Sequence, residues 1–195
     1  MKMKKKIMLK RAAVCLLILG LVLGALPVQA AATGKADKAL TTSVNKVLKG
    51  RRITSSTPKE KALKKVFSYV KKCRYERAPL GFKPDTQKNW ETDFAKKLLK
   101  SKRGSCYHYA AALAFLAKKA TDYPVRIGYG QAKAFGSSWQ PHAWVEIKIG
   151  RTWYTFDANA DQFSKQREGK WYQQKRSSMK KIYRYKTAKY INVEI

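Results

Sequence analysis

Two spacings of apolar residues divide the chain. From residue 57 to 73, Leu63, Val66, Phe67 and Val70 fall at i, i+3, i+4 and i+7, one stripe of an α-helix, and lysines cover the other faces. Thr57-Pro58-Lys59-Glu60 reads as a capping box, with Thr57 as N-cap, Pro58 at the first helical position and Glu60 reaching back. A weaker stripe of Leu40, Val44, Val47 and Leu48 fits a modest amphipathic helix at 31–56. A flexible basic extension fits the same residues equally well. Residues 76–89, with two prolines and a glycine, read as loop. Phe94, Leu98 and Leu99 predict a short helix ended by Gly104 as a left-handed C-cap. Residues 105–120, SCYHYAAALAFLAKKA, combine high helix propensity with almost no charge before Lys118. They predict a central, buried helix that begins at Ser105 and Cys106.

Beyond Asp122-Tyr123-Pro124 the period shortens to two. Residues 125–129, 143–149 and 152–156 are rich in β-branched and aromatic side chains, and Gly150-Arg151 supplies a two-residue hairpin turn. Residues 161–180 read as polar loop, and 181–185 and 190–193 as further strands. Helices followed by an antiparallel sheet mean an α+β fold, in one domain over residues 57–195.

The N-terminus has its own pattern. A basic start, MKMKKKIMLKR, precedes the apolar AAVCLLILGLVLGALP and then Val28-Gln29-Ala30, which is the layout of a cleavable export signal over residues 1–30. The apolar run is short for a membrane span, so cleavage is expected rather than anchorage, and Cys15 is lost with it. The expected location is secreted or at the cell envelope.

Charge sharpens that reading. The 195 residues hold 43 Lys+Arg against 12 Asp+Glu, a net +31. Cleavage removes six basic residues and no acids, which leaves +25 on residues 31–195. With 45% hydrophobic and 12% aromatic residues the chain can build a core, so this charge belongs on the surface. Basic residues recur at 59–65, 71–77, 96–103 and 165–189, which describes a globally positive surface rather than one groove. Anionic cell-envelope polymers are the expected partners. Export and the lack of a recognised module argue against a specific nucleic-acid partner. A monomer is expected. Only Cys73 and Cys106 remain after cleavage, too few for a disulfide scaffold, and Cys73 is expected as a free structural thiol. No cysteine or histidine spacing suits a metal, and no cofactor is expected.

Cys106 carries the candidate chemistry. At a helix N-terminus, unpaired N–H groups and the macrodipole favour thiolate, and Lys102 and Arg103 push the same way. A thiolate nucleophile wants an imidazole and a third group to orient it. His108 stands two residues on, about 200° round the helix, so it points away and reads as a packed helix residue. His142 opens a strand and Asp157 ends the neighbouring one. The turn at 150–151 sets 149 against 152, and continued pairing sets 142 against 159, so Asp157 lies close to His142.

These residues resemble a known family. Gly104-x-Cys106, Tyr109-Ala-x-x-Leu113, Pro124-Val125-Arg126, His142-Ala143-Trp144 and Trp153 with Asp157, in this order, resemble the transglutaminase-like superfamily. Glu60-Lys61-Ala62 and Tyr75 are similar to its lead-in. The resemblance implies a papain-like core and a catalytic triad of Cys106, His142 and Asp157. It implies a cysteine acyltransferase, or a peptidase or amidase, acting on a protein or peptide amide. The oxyanion would be met by the Cys106 N–H and a further donor from among Tyr75, Gln87 and Trp90. Water or an amine then takes the acyl group. One departure stands out: the family usually reads Asp-Pro-Thr at the acid, and this chain reads Asp157-Ala158-Asn159. The different-class alternative is a non-catalytic basic wall-binding protein with the same fold.

Overall fold

The nearly chargeless run after Ser105 becomes the axis of the fold, a helix buried along most of its length. The computed structural model describes residues 32–165 and 170–195, and the export signal read at 1–30 lies outside them. In chain order the elements are β1 (Ala32–Lys35), α1 (Lys38–Gly50), α2 (Lys59–Lys71), β2 (Arg74–Tyr75), α3 (Trp90–Ser101), β3 (Arg103–Gly104) and α4 (Cys106–Thr121). There follow β4 (Val125–Ala132), β5 (Gln140–Ile149), β6 (Thr152–Phe156), α5 (Ala158–Phe163), β7 (Gln174–Lys175), α6 (Arg176–Met179) and β8 (Lys189–Glu194). The fold is mixed α+β.

Six strands form one sheet in the order β1-β8-β4-β5-β6-β7, antiparallel except where β1 runs parallel to β8. The Gly150-Arg151 turn sets Ile149 against Thr152, and the ladder runs back to Val145 against Phe156. Strand alternation then sorts the side chains onto two faces. Val125, Ile127, Val145, Ile147, Phe156 and Val193 share one core with Leu113, Phe115 and Leu116 of α4. Each such side chain contributes about 1.5–3 kcal/mol on burial, so packing holds the fold while Cys73 and Cys106 stay free thiols.

The opposite face carries a charge network under a second apolar cluster. Glu146 is fully buried, and its Oε2 accepts two bonds from Arg126, at 2.9 and 2.6 Å. Its Oε1 accepts from Trp144 Nε1 at 3.2 Å and Tyr190 OH at 3.3 Å, with Arg176 Nε at 3.4 Å. The Arg126 guanidinium also lies over the rings of Trp153 and Tyr190. A buried carboxylate is tolerated only when paired and hydrogen-bonded, and this one is both. Beside it, Trp144 packs with Trp171, Met179 and Tyr183 of the C-terminal segment.

Several local expectations change. Residues 32–56 are not a flexible extension: β1 pairs with β8, and α1 buries Leu40, Val44 and Leu48 behind an Asp37 cap. The Thr57 capping box does not form. Pro58 takes the N-cap place, the Thr57 hydroxyl accepts from the Thr54 N–H, and Glu60 pairs with Lys64. The left-handed residue ending α3 is Lys102, at φ +59, and Gly104 continues into β3. Residues 181–185 form no strand, and only Tyr183 bridges to Ala132. The segment read as polar loop at 161–180 holds the end of α5, β7 and α6.

Candidate active site

The start of α4 is fixed by a reciprocal cap. Ser105 is the N-cap, its side chain accepting from the His108 backbone N–H, while His108 Nδ1 accepts from the Ser105 N–H at 3.2 Å. Histidine here takes the place that Glu or Gln holds in the usual box. The His108 ring stacks on Phe94, 3.8 Å between centroids and 8° from parallel. It lies so close to Gly104 that a Cβ there would meet His108 Cβ at 2.4 Å. Burial, and after it the charge of Lys97, pushes the His108 pKa down to about 4, so the ring is neutral at physiological pH. The sequence marks His108 only as a packed residue; the Ser-x-x-His spacing behind a glycine was the available signal for its capping part.

Cys106 is thereby the first residue of α4, a free thiol only 8% exposed. As that first residue, its N–H has no intrahelical partner. His142 and Asp157 are each 2% exposed, and His142 Nε2 lies 2.6 Å from Asp157 Oδ2. The Cys106 sulfur also acts on this ring, and with Nε2 committed to Asp157 the nitrogen left to face it is Nδ1. Burial alone would keep this imidazole neutral. The Asp157 charge, and then that of the Cys106 sulfur, outweighs burial and raises the His142 pKa to about 10. The ring of Phe135 meets His142 edge-on at 5.3 Å, and that of Tyr183 flanks it at 6.4 Å.

Asp157 is held from several sides. Its Oδ2 also accepts from Tyr183 OH at 2.7 Å, and its Oδ1 accepts from the Ala160 N–H at 2.9 Å, which caps α5. The departure at Asp157-Ala158-Asn159 therefore builds a helix start. Asp161, the neighbouring acid, is engaged elsewhere, with Lys71 at 2.6 Å and the Trp171 N–H at 3.2 Å. Tyr183 has no counterpart in the sequence reading. It arrives from residues 181–185, which read as a strand in the sequence but are irregular here apart from the bridge of Tyr183 to Ala132.

The three candidate oxyanion donors separate. Tyr75 pairs with Gly104 across β2 and β3, and is 46% exposed. Burial, and next the Cys106 charge, raises its phenol pKa, which places the ring within electrostatic reach of the sulfur. Its edge meets Phe163, another exposed aromatic, at 5.8 Å. Gln87 lines a separate cavity of about 300 Å³ with Thr33, Asp85 and Ile191, and Cys106 is not among its lining residues. Trp90 is a core side chain, 1% exposed and packed against Phe82, Phe94, Tyr107 and Tyr129, and its Nε1 has no hydrogen-bond partner among the described residues.

A family profile described as the transglutaminase-like superfamily matches residues 48–158. A solved structure of a candidate cysteine protease from Cytophaga hutchinsonii matches over 63% of this chain at 19% identity, with a TM-score of 0.40. The match covers 42% of that protein, so the chain spans under half its length. No curated protein matches the chain in sequence.

Proposed function

Because the chain belongs to the transglutaminase-like superfamily, we propose that it is an exported cysteine enzyme of the cell envelope, performing acyl transfer or hydrolysis at amide bonds. Cys106 is the nucleophile, His142 the acid and base, and Asp157 the orienting carboxylate. The observation that carries the reading is one buried imidazole between a carboxylate at 2.6 Å and a thiol at a helix N-terminus. Asp157 engages one ring nitrogen, which leaves the other for the sulfur.

The Cys106 thiolate adds to the amide carbonyl, and the oxyanion forms beside the Cys106 N–H. Tyr75 is the donor of choice, since it pairs with Gly104 beside the nucleophile and lies within electrostatic reach of the sulfur. The C–N bond then breaks as His142 gives its Nδ1 proton to the leaving amine, and Asp157 stabilises the ring while it is charged. A thioester on Cys106 remains. Water or a second amine attacks it and yields its proton to His142, and the thiolate leaves. The positive surface holds the enzyme at anionic polymers and draws acidic substrates toward it.

Incubation with a primary-amine probe and glutamine-containing peptides or muropeptides, read by mass spectrometry, tests this. Ammonia release with amine incorporation indicates transglutamination, and cleavage or deamidation indicates hydrolysis. Cys106→Ala should abolish either while leaving the thermal midpoint unchanged, because alanine fits a first helical turn. Activity that survives this change ends the nucleophile assignment. A native protein that neither turns over any probe nor reacts with iodoacetamide faster than free cysteine is a binding module.

A further inference from the structure

The positive surface contains a groove that the even recurrence of basic residues along the sequence did not suggest. A cavity of about 730 Å³ lies between α1, α3 and Tyr69 of α2, and a second of about 590 Å³ adjoins it, sharing Gly50 and Arg51. Nine lysines and arginines line the pair, and no acid does. Among the described residues, only two of the nine have a carboxylate within ion-pair distance: Lys64 with Glu60, and Lys96 with Asp37 and Asp93. Seven cations remain without one.

Ordinary helix chemistry accounts for part of this. The C-termini of α1 and α3 line the groove, and each end favours a cation. One basic residue per helix end satisfies that need; seven repel one another instead. The groove is also built, not merely charged. The Lys65 ammonium donates to the Arg51 and Arg52 carbonyls at 3.0 and 3.1 Å, which pins the turn after α1. Arg52 at φ +53 and Lys102 at φ +59 occupy left-handed positions that favour glycine, so both cations sit there at a conformational cost.

The lining chooses among anions. Seven of the nine cations are lysines, compact point charges suited to phosphate oxygens. The one aromatic, Tyr69, already carries Arg51 at 4.8 Å and Lys102 at 4.7 Å, so it offers no free platform for stacking a nucleobase. The exposed large hydrophobics, Tyr75, Leu80, Phe135 and Phe163, all lie outside the groove, so nothing in it can enter a lipid layer. We infer that the groove between α1, α2 and α3 is a binding site for a linear polymer of repeating phosphates that carries neither bases nor acyl chains. None of Cys106, His142 and Asp157 lines it, so the inference stands apart from the cysteine chemistry.

Fluorescence anisotropy of labelled long-chain inorganic polyphosphate, titrated with the full chain at physiological ionic strength, tests it. The groove variant is Lys46→Gln, Arg52→Gly, Lys61→Gln and Lys100→Gln. Its control loses the same charge elsewhere: Lys119→Gln, Lys180→Gln, Lys181→Gln and Lys186→Gln. The groove variant should weaken binding by at least about tenfold and flatten its salt dependence, with little change in the control. Cys106→Ala should bind as the native protein does, which separates this result from failure of the enzyme reading. Equal losses in the two variants would overturn the groove in favour of net charge alone. Tighter groove-dependent binding of oligothymidylate would overturn the phosphate-chain assignment, as would binding of phosphatidylglycerol vesicles but not polyphosphate. Should the fourfold variant fold poorly, Lys100→Glu against Lys119→Glu gives the same comparison.

Discussion

One carboxylate oxygen, Asp157 Oδ2, receives both His142 and Tyr183, at 2.6 and 2.7 Å. The second donor keeps the carboxylate in place when the imidazole moves toward the leaving group. The same pairing sets a pH dependence. With its pKa raised to about 10, His142 stays protonated through neutral pH, so the alkaline limb of kcat/KM should fall near pH 10. The sign for stability follows from the raised value. Relative to an ordinary 6.5, His142 contributes its full stabilisation below about 6.5 and loses it as pH rises through about 10. Asp157→Asn removes the largest raising influence, so the limb should move to lower pH and turnover should drop by orders of magnitude. A pH–rate profile of the two proteins checks this; an unmoved limb would mean that Asp157 does not set the ring's charge.

At the scale of elements, the start of α4 depends on a glycine that precedes it. Gly104→Ala puts a Cβ 2.4 Å from His108 Cβ and 2.6 Å from its Cγ, against a ring already stacked on Phe94. We expect a loss of about 2–3 kcal/mol in urea unfolding, together with slower iodoacetamide labelling of Cys106, because the cap that positions it is disturbed. Elements with a clean period were legible in the sequence: the Leu63–Val70 stripe, the apolar run after Ser105, and the hairpin with its register. That register carried the site too, since counting back from Gly150-Arg151 brings His142 to Asp157. What escaped lacks a period. Trp171, Met179 and Tyr183 cover the sheet from short or irregular segments rather than from a repeating face. Thr57 and Gly104 were misread for another reason. Each has the right chemistry for a cap, but Thr57 found a closer partner in Thr54, and Lys102 had already ended α3. Trp90 illustrates a third limit, because a donor N–H in the sequence does not reveal that four neighbouring rings bury it.

At the scale of the molecule, the described residues are held as two layers on one sheet, the long helices on one side and the C-terminal segment on the other. Glu146 ties β4, β5, α6 and β8 together through Arg126, Trp144, Arg176 and Tyr190. Glu146→Gln leaves the partly exposed guanidinium groups of Arg126 and Arg176 facing a buried neutral amide. We expect about 3–5 kcal/mol of destabilisation, visible as a lower thermal midpoint, with kcat of the remaining folded enzyme little changed. A midpoint within experimental error of the native value would show that the network is dispensable.

The reach of Tyr183 to Asp157 has a consequence in time. A chain made or threaded from its N-terminus presents Cys106 first, then His142, then Asp157, and each can fold onto elements already present. The phenol that completes the acid comes 26 residues later, beyond the stretch shared with the family. A chain halted anywhere between the two holds every group proposed for the chemistry, yet its acid lacks one of its donors. Completion of the site therefore waits on Tyr183, so the reactive thiol acquires its full machinery only after residues beyond the shared stretch have emerged.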